Sequence, residues 1–159
     1  MTATLPTAHQ VQLVQASFAA VEPRLAEVVD LFYATLFTRN PAVRQMFPND
    51  MAEQQKKLAI TLRLAVDGAS RLDKLVPALE SLGEKHAAYG VVPAHFDAVG
   101  AALLETLAHA AGPLWNDELR QAWATTYGLI AATMTGAMER KRARTVRDAL
   151  AEVITTGPL

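Results

Sequence analysis

The sequence predicts an all-α fold of six to eight helices. Apolar residues recur at helical spacing along nearly the whole chain. No segment alternates apolar and polar residues over strand length, and the breaks between periodic segments are short, roughly two to eight residues.

Each element can be justified in turn. Val11, Val14, Phe18 and Val21 make one face of a first helix, and Thr7 and Gln10 have capping-box spacing at its start. After Pro23, Leu25, Val28, Val29, Phe32 and Leu36 form a second stripe. Asn40-Pro41 reads as a cap followed by a first-turn proline, opening a short helix through Met46. Met51, Leu58, Leu62 and Ala65 mark a third long helix that runs out near Gly68. Leu75, Leu79, Leu82 and His86 lie on a fourth, which stops at Gly90; Pro77 early in this segment predicts a broken or delayed start. Pro93 starts a helix carrying Phe96, Val99, Leu103 and Leu107, broken at Gly112-Pro113. Asn116 then caps a last long helix with Leu119, Trp123, Tyr127, Ile130 and Met134.

Composition narrows the function classes. A chain of 159 residues suits one domain with a real core, and 51% hydrophobic with 19% charged residues is an ordinary globular balance. A net charge of -1 gives no global field toward nucleic acid or acidic lipid. The absence of cysteine excludes disulfides, thiolate metal sites, a cysteine nucleophile and thioether-linked haem. Met1–Gln12 lacks the pattern of a secretory signal, and no apolar run is long enough for a membrane span, so a cytoplasmic protein is expected.

Four histidines are present. His9 and His109 have no partner at metal-ligand spacing, and His95 sits in a first turn where a solvated ring is common. His86 differs because it continues the stripe of Leu75, Leu79 and Leu82 and so points a polar ring toward the core. It is either a core histidine satisfied by a backbone carbonyl or a metal ligand. With no HxxxH, HExxH or ExxH pair, such a metal must bring most of its own ligands, as haem iron does with four porphyrin nitrogens. Tyr33, Gln54 and Phe47 could form an opposite wall; equally, they could be an interface tyrosine, an exposed helix residue and a core plug.

The segments Phe32-Tyr33-Ala34-Thr35-Leu36-Phe37, Asn40-Pro41 through Met46-Phe47, Glu53-Gln54-Gln55-Lys56, Lys85-His86-Ala87-Ala88-Tyr89-Gly90-Val91 and Ala124-Thr125-Thr126-Tyr127-Gly128 resemble, in order and spacing, those of bacterial single-domain haemoglobins related to the globin module of flavohaemoglobins. The resemblance runs from about Val11 to Met134. It implies a globin fold enclosing haem b, one globin domain over 1–159, and a short basic helical extension from about 139. It makes His86 the proximal iron ligand, Phe47 the ring stacked on the haem, Tyr33 and Gln54 the distal polar pair, and Leu58 the apolar cover. Val91 and Val99 would line the haem edge and floor. Lys57 either reaches a propionate by snorkelling or is plainly solvated.

The chain departs from the family at two points. Flavohaemoglobins hydrogen-bond the proximal histidine to a tyrosine and a glutamate. Phe96 and Met138 stand at those positions, and Glu139, about 100° round the helix, should point elsewhere. His86 should therefore give its ring N–H to a backbone carbonyl, most simply that of Leu82. Only about twenty residues come after Met138, with no GxGxxG, so no flavin or nicotinamide domain fits and any redox cycle would need a separate reductase.

The leading expectation is reversible binding of O2, with CO and NO as further ligands, for storage, delivery or scavenging. The alternatives are an NO dioxygenase working with a reductase, or a gas sensor needing a partner. Arg140, Lys141, Arg142, Arg144 and Arg147 form either a nucleic-acid or partner patch or, more commonly for such a run, a solvated helix end favoured by the macrodipole.

Overall fold

A computed structural model of the protein describes residues 4–156. Among these, six α-helices and four short 3-10 turns succeed one another, and no strand occurs. The periodicity thus gives the right class and number of helices. Residues 1–3 and 157–159, the ends of the expected domain, lie outside the described residues, and so does the beginning of Met1–Gln12, the segment expected not to be a secretory signal.

Most boundaries fall where the capping chemistry puts them. The Thr7 hydroxyl accepts from the Gln10 amide at 3.1 Å while the Gln10 side chain accepts from the Thr7 N–H at 3.0 Å, opening α1 (Ala8–Val21). The helix α2 (Leu25–Arg39) gives way to a 3-10 segment, Pro41–Met46, rather than to a short α-helix. Asn40 does not cap it through its side chain; that amide turns back and donates at 3.4 Å to the Leu36 carbonyl, which also accepts the Asn40 backbone N–H at 2.9 Å. After α3 (Ala52–Asp67) comes α4 (Leu72–Ala88), which runs unbroken through Pro77. The expected break or delay is absent: the helix gives up the one bond that Pro77 cannot donate and continues on both sides. Gly90, at φ 82°, lets the chain leave α4, and Pro93 opens α5 (Pro93–Ala111). The Asn116 side chain accepts from the Leu119 amide at 2.8 Å at the start of α6 (Asp117–Thr156).

The core lies where α1, α2, α5 and α6 meet. Val14, Phe18, Val29, Phe32, Leu36 and Trp123 are buried there, each large apolar side chain contributing about 1.5–3 kcal/mol of transfer free energy. The Trp123 indole N–H donates to the Ser17 hydroxyl at 2.9 Å, and that hydroxyl donates on to the Leu13 carbonyl at 2.7 Å. No buried side-chain polar atom lacks a partner among the described residues.

The helices α3 and α4 pack against different members of this core. The main neighbours of α3 are α2 and α1, whereas α4 lies along α6. The α4–α6 crossing is backbone to backbone at Gly83, where an added Cβ would come within 2.5 Å of the Met134 carbonyl oxygen. Ion pairs Arg140–Glu80 and Arg144–Glu84 lace the two helices together. Among the described residues no single helix is long and apolar enough to cross a membrane.

Candidate functional site

Tyr33 is buried in the middle of α2 and held by three rings. Phe32, Phe37 and Phe47 have their centroids 5.0, 5.8 and 5.7 Å from it. The edge-on contacts with Phe32 and Phe47 set opposite parts of the ring quadrupoles against each other. Gln54, one turn before Leu58 on α3, donates from its amide nitrogen to the Tyr33 hydroxyl oxygen at 3.2 Å. Because that oxygen is the acceptor, the Tyr33 O–H proton remains available to a third group. Burial pushes the phenol above its ordinary value, and the bond from Gln54 offsets only part of this, so Tyr33 stays protonated and a donor.

Phe47 is placed by the corner between α2 and α3. The Arg44 guanidinium donates to the carbonyls of Phe47, Pro48 and Asn49 at 3.3, 2.9 and 3.2 Å, and its Cζ lies 5.1 Å from the centre of the Phe37 ring. Phe37 and Phe47 meet at 5.4 Å. Arg44 and Phe37 are thus parts of this wall that sequence reasoning missed. The one available signal was the arginine just before Phe47-Pro48-Asn49, whose carbonyls have no helical partners.

His86 lies in the last turn of α4. Its Nδ1 is 2.7 Å from the Leu82 carbonyl oxygen, the partner expected from the sequence. A carbonyl can only accept, so Nδ1 bears a proton, and Nε2 is the ring atom left to meet another group. No protein partner for Nε2 occurs among the described residues. The same turn is closed off tightly: the His86 carbonyl accepts from the amides of Tyr89 at 3.0 Å and Val91 at 3.1 Å. Phe96 lies against the imidazole at a centroid distance of 5.9 Å. It is itself anchored, since the Tyr127 hydroxyl donates to its carbonyl at 2.6 Å. Burial pushes the Tyr127 phenol far up, so this bond is never lost to ionisation. The Tyr127 ring also comes close to Gly100, where a Cβ would stand 3.3 Å from it and would press the ring aside by a few tenths of an ångström. In the sequence Tyr127 belongs to a stripe and to one of the segments of the family resemblance, but its hydrogen-bond partner is 31 positions away and leaves no local trace.

The remaining expected residues are distributed between surface and interior. Met138 is fully buried, and Glu139 is exposed and turned away. Leu58, Leu82, Val91 and Val99 are all half-buried, as are Leu62, Leu79 and Leu103. Lys57 is exposed. His95 is more than a solvated ring, because its Nδ1 accepts from the Val92 amide at 3.0 Å and covers a free N–H at the start of α5. His9 pairs with Glu118 on the surface.

This donor set fits a haem. Apolar side chains on α3, α4 and α5 are only half covered by protein, in contrast to the fully buried core beyond them. One wall presents a histidine whose Nε2 has no protein partner among the described residues, the other a protonated hydroxyl and an amide. Among the described residues no group of three or more His, Asp or Glu side chains could hold a bare ion, so a single imidazole serves only a metal that brings its other ligands.

Comparison with known proteins gives the same picture. A family model described as Globin matches residues 30–134. The chain is 34% identical to leghemoglobin 2 of Sesbania rostrata, over 83% of this chain and 97% of that protein. It is 27% identical to a flavohemoprotein of Bacillus cereus, over 79% of this chain but 31% of the relative. Among solved structures, an engineered carbene transferase from Rhodothermus marinus superposes with a TM-score of 0.79 at 25% identity, covering 89% of this chain and 99% of that one. A bacterial globin from Campylobacter jejuni superposes with a TM-score of 0.75 at 23% identity, covering 86% and 99%, and so shares the fold.

Proposed function

The chain belongs to the globin family, and from that premise we propose that it holds haem b through His86 and binds O2 reversibly. The observation that carries this reading is the pairing of a His86 whose Nδ1 is held by a backbone carbonyl with a distal Tyr33 whose O–H is free to donate. When bound, the haem would supply a ferrous iron that takes a diatomic gas. His86 Nε2 would be the protein's ligand to it. Leu58, Val91 and Val99 would exclude water, Phe47 would stack against the porphyrin, and exposed Lys57 would reach a propionate by snorkelling. On the distal side the Tyr33 O–H and the second Gln54 N–H would each donate a hydrogen bond to bound O2, charge-assisted and worth about 1.5–3 kcal/mol.

The expected outcome is that Tyr33→Phe raises the O2 dissociation rate about tenfold or more, the factor corresponding to about 1.4 kcal/mol. Gln54→Leu should act in the same direction and less strongly. CO carries less charge, and its release should change little. Stopped-flow release of both gases tests this. O2 release unchanged in both variants would mean that neither side chain touches the gas.

The flavohemoprotein likeness favours a second reading, NO dioxygenation with a separate reductase. The surroundings of His86 weigh against it. The Phe96 ring neither donates nor accepts a hydrogen bond, and buried Met138 can only accept weakly, so among the described residues no carboxylate gives the imidazole anionic character. The Fe–His stretching frequency of the reduced protein should accordingly fall in the range of carbonyl-bonded globins. Resonance Raman checks this; a value in the range of histidine peroxidases would reveal a carboxylate partner after all. Nitrate yield under NO, with and without an added reductase, separates the two functions directly.

A further inference from the structure

The last part of α6, residues 142–155, is solvent-exposed along its whole length. At 1.5 Å per residue it extends roughly 20 Å. Its ties to the rest of the protein are at its base, where Arg142 donates to the Val91 carbonyl at 2.9 Å and Arg144 pairs with Glu84. An isolated helix of this length is marginal in water; this one is nucleated by the packed part of α6.

Its residue pattern is not that of a solvated helix end. Val146, Leu150, Val153 and Ile154 are 59%, 58%, 66% and 77% exposed. With Ala143, the first three repeat at intervals of three, four and three residues, the seam of a two-helix coiled coil. Arg142 and Arg147 stand on the borders of the shallow apolar groove formed by Val146, Leu150 and Ile154. Among the described residues neither forms an ion pair, whereas Arg140 and Arg144 are matched by Glu80 and Glu84.

We propose that this face of α6 docks an acidic amphipathic helix of another protein, whose apolar stripe covers Val146 and Leu150 and whose carboxylates meet Arg142 and Arg147. The charges on the borders select this occupant. Parallel pairing with a second copy would set Arg142 of one chain against Arg147 of the other. Antiparallel pairing centred between Val146 and Leu150 would bring the two Arg147 side chains together near the middle. Both put like charges on the edge of an apolar seam, where they disfavour pairing. A lipid surface is a poorer match. The stripe is narrow and wholly aliphatic, the far face carries Asp148, and two of the arginines are already paired, whereas interfacial helices carry a broad apolar face beside a strongly basic one.

The probe is a designed helical peptide of about three heptads, with Leu at the seam and Glu on both borders, and a twin with Lys in place of Glu. Titrated by fluorescence anisotropy against the full-length protein, the acidic peptide should bind at least about tenfold more tightly than the basic one, a preference that weakens with added salt. Leu150→Asp should abolish binding, and Arg142→Glu with Arg147→Glu should reverse the preference. Leu150 and Arg147 are exposed and touch nothing at the pocket, so Leu150→Asp and Arg147→Glu should leave the visible spectrum and the melting temperature where they are; Arg142→Glu also gives up the bond to Val91, and its effect is read against Arg147→Glu alone. Equal binding of the two peptides, or binding of neither, overturns the proposal. So does a dimer in light scattering that Leu150→Asp disperses, which would make a second copy the occupant. Flotation with vesicles containing anionic lipid, lost in Leu150→Asp, would also overturn it in favour of a membrane.

Discussion

The His86→Ala protein should fold normally and retain haem at least tenfold more weakly than the parent. The ring is only half-buried and has one hydrogen bond, to Leu82, so its removal leaves the core of α1, α2, α5 and α6 untouched. Far-UV circular dichroism should therefore be unchanged. The apolar walls still attract a porphyrin, but loss of ligation worth only about 1.4 kcal/mol already supplies the tenfold factor. Added imidazole should enter the space left by the side chain and restore haem binding. It would lack the covalent tether to α4, so the haem bound should rise with imidazole concentration. Haem per chain, measured as the pyridine complex, decides the matter. Full occupancy and an unaltered spectrum in His86→Ala would place the ligand elsewhere.

A second large effect is expected at the α4–α6 crossing. Gly→Ala inside a helix ordinarily stabilises by up to about 1 kcal/mol through propensity. Gly128, also within α6, has nothing within 4 Å of an added Cβ, so Gly128→Ala should show that gain. At Gly83 the added methyl would meet the Met134 backbone at 2.5, 2.8 and 3.0 Å, and backbone cannot swing aside as a side chain can. Overpacking of this kind costs about 1–3 kcal/mol, occasionally more. Gly83→Ala should thus be destabilised, its melting temperature lower by about 2–4 °C per kcal/mol. Because His86 lies less than one turn from Gly83, the displaced α4 should also shift the visible spectrum. Equal melting temperatures for Gly83→Ala and Gly128→Ala would show that the two helices separate freely.

Much of this is legible in the chain because helical packing writes itself locally. The stripes through Phe18, Phe32 and Trp123 mark faces that are buried, and a histidine that continues the stripe of Leu75, Leu79 and Leu82 turns inward as expected. The carbonyl four residues back is the natural partner once Phe96 and Met138 are seen to offer His86 nothing better. Other features depend on partners far along the chain. The tight approach at Gly83 is fixed by Met134, and the position of Phe96 by Tyr127. Neither glycine nor tyrosine announces such a role. Local rules also mislead at two points. Asn40 has the form of a cap, yet its amide serves the preceding helix, and Pro77 has the form of a helix breaker, yet the helix simply forgoes one bond.

The two walls of the pocket differ in how far apart in sequence their contacts lie, and this sets an order of assembly. Tyr33 meets Phe37, Phe47 and Gln54 within a span of 21 positions. The histidine-bearing wall depends on contacts such as Glu84 with Arg144, 60 positions apart. Closing the longer loop costs more entropy before any contact offsets it. The aromatic corner around Tyr33 should therefore condense early, with α4 docking onto α6 afterwards. On such a route the imidazole swings into place last, and α4 is the segment whose amides exchange first with solvent when the protein begins to open.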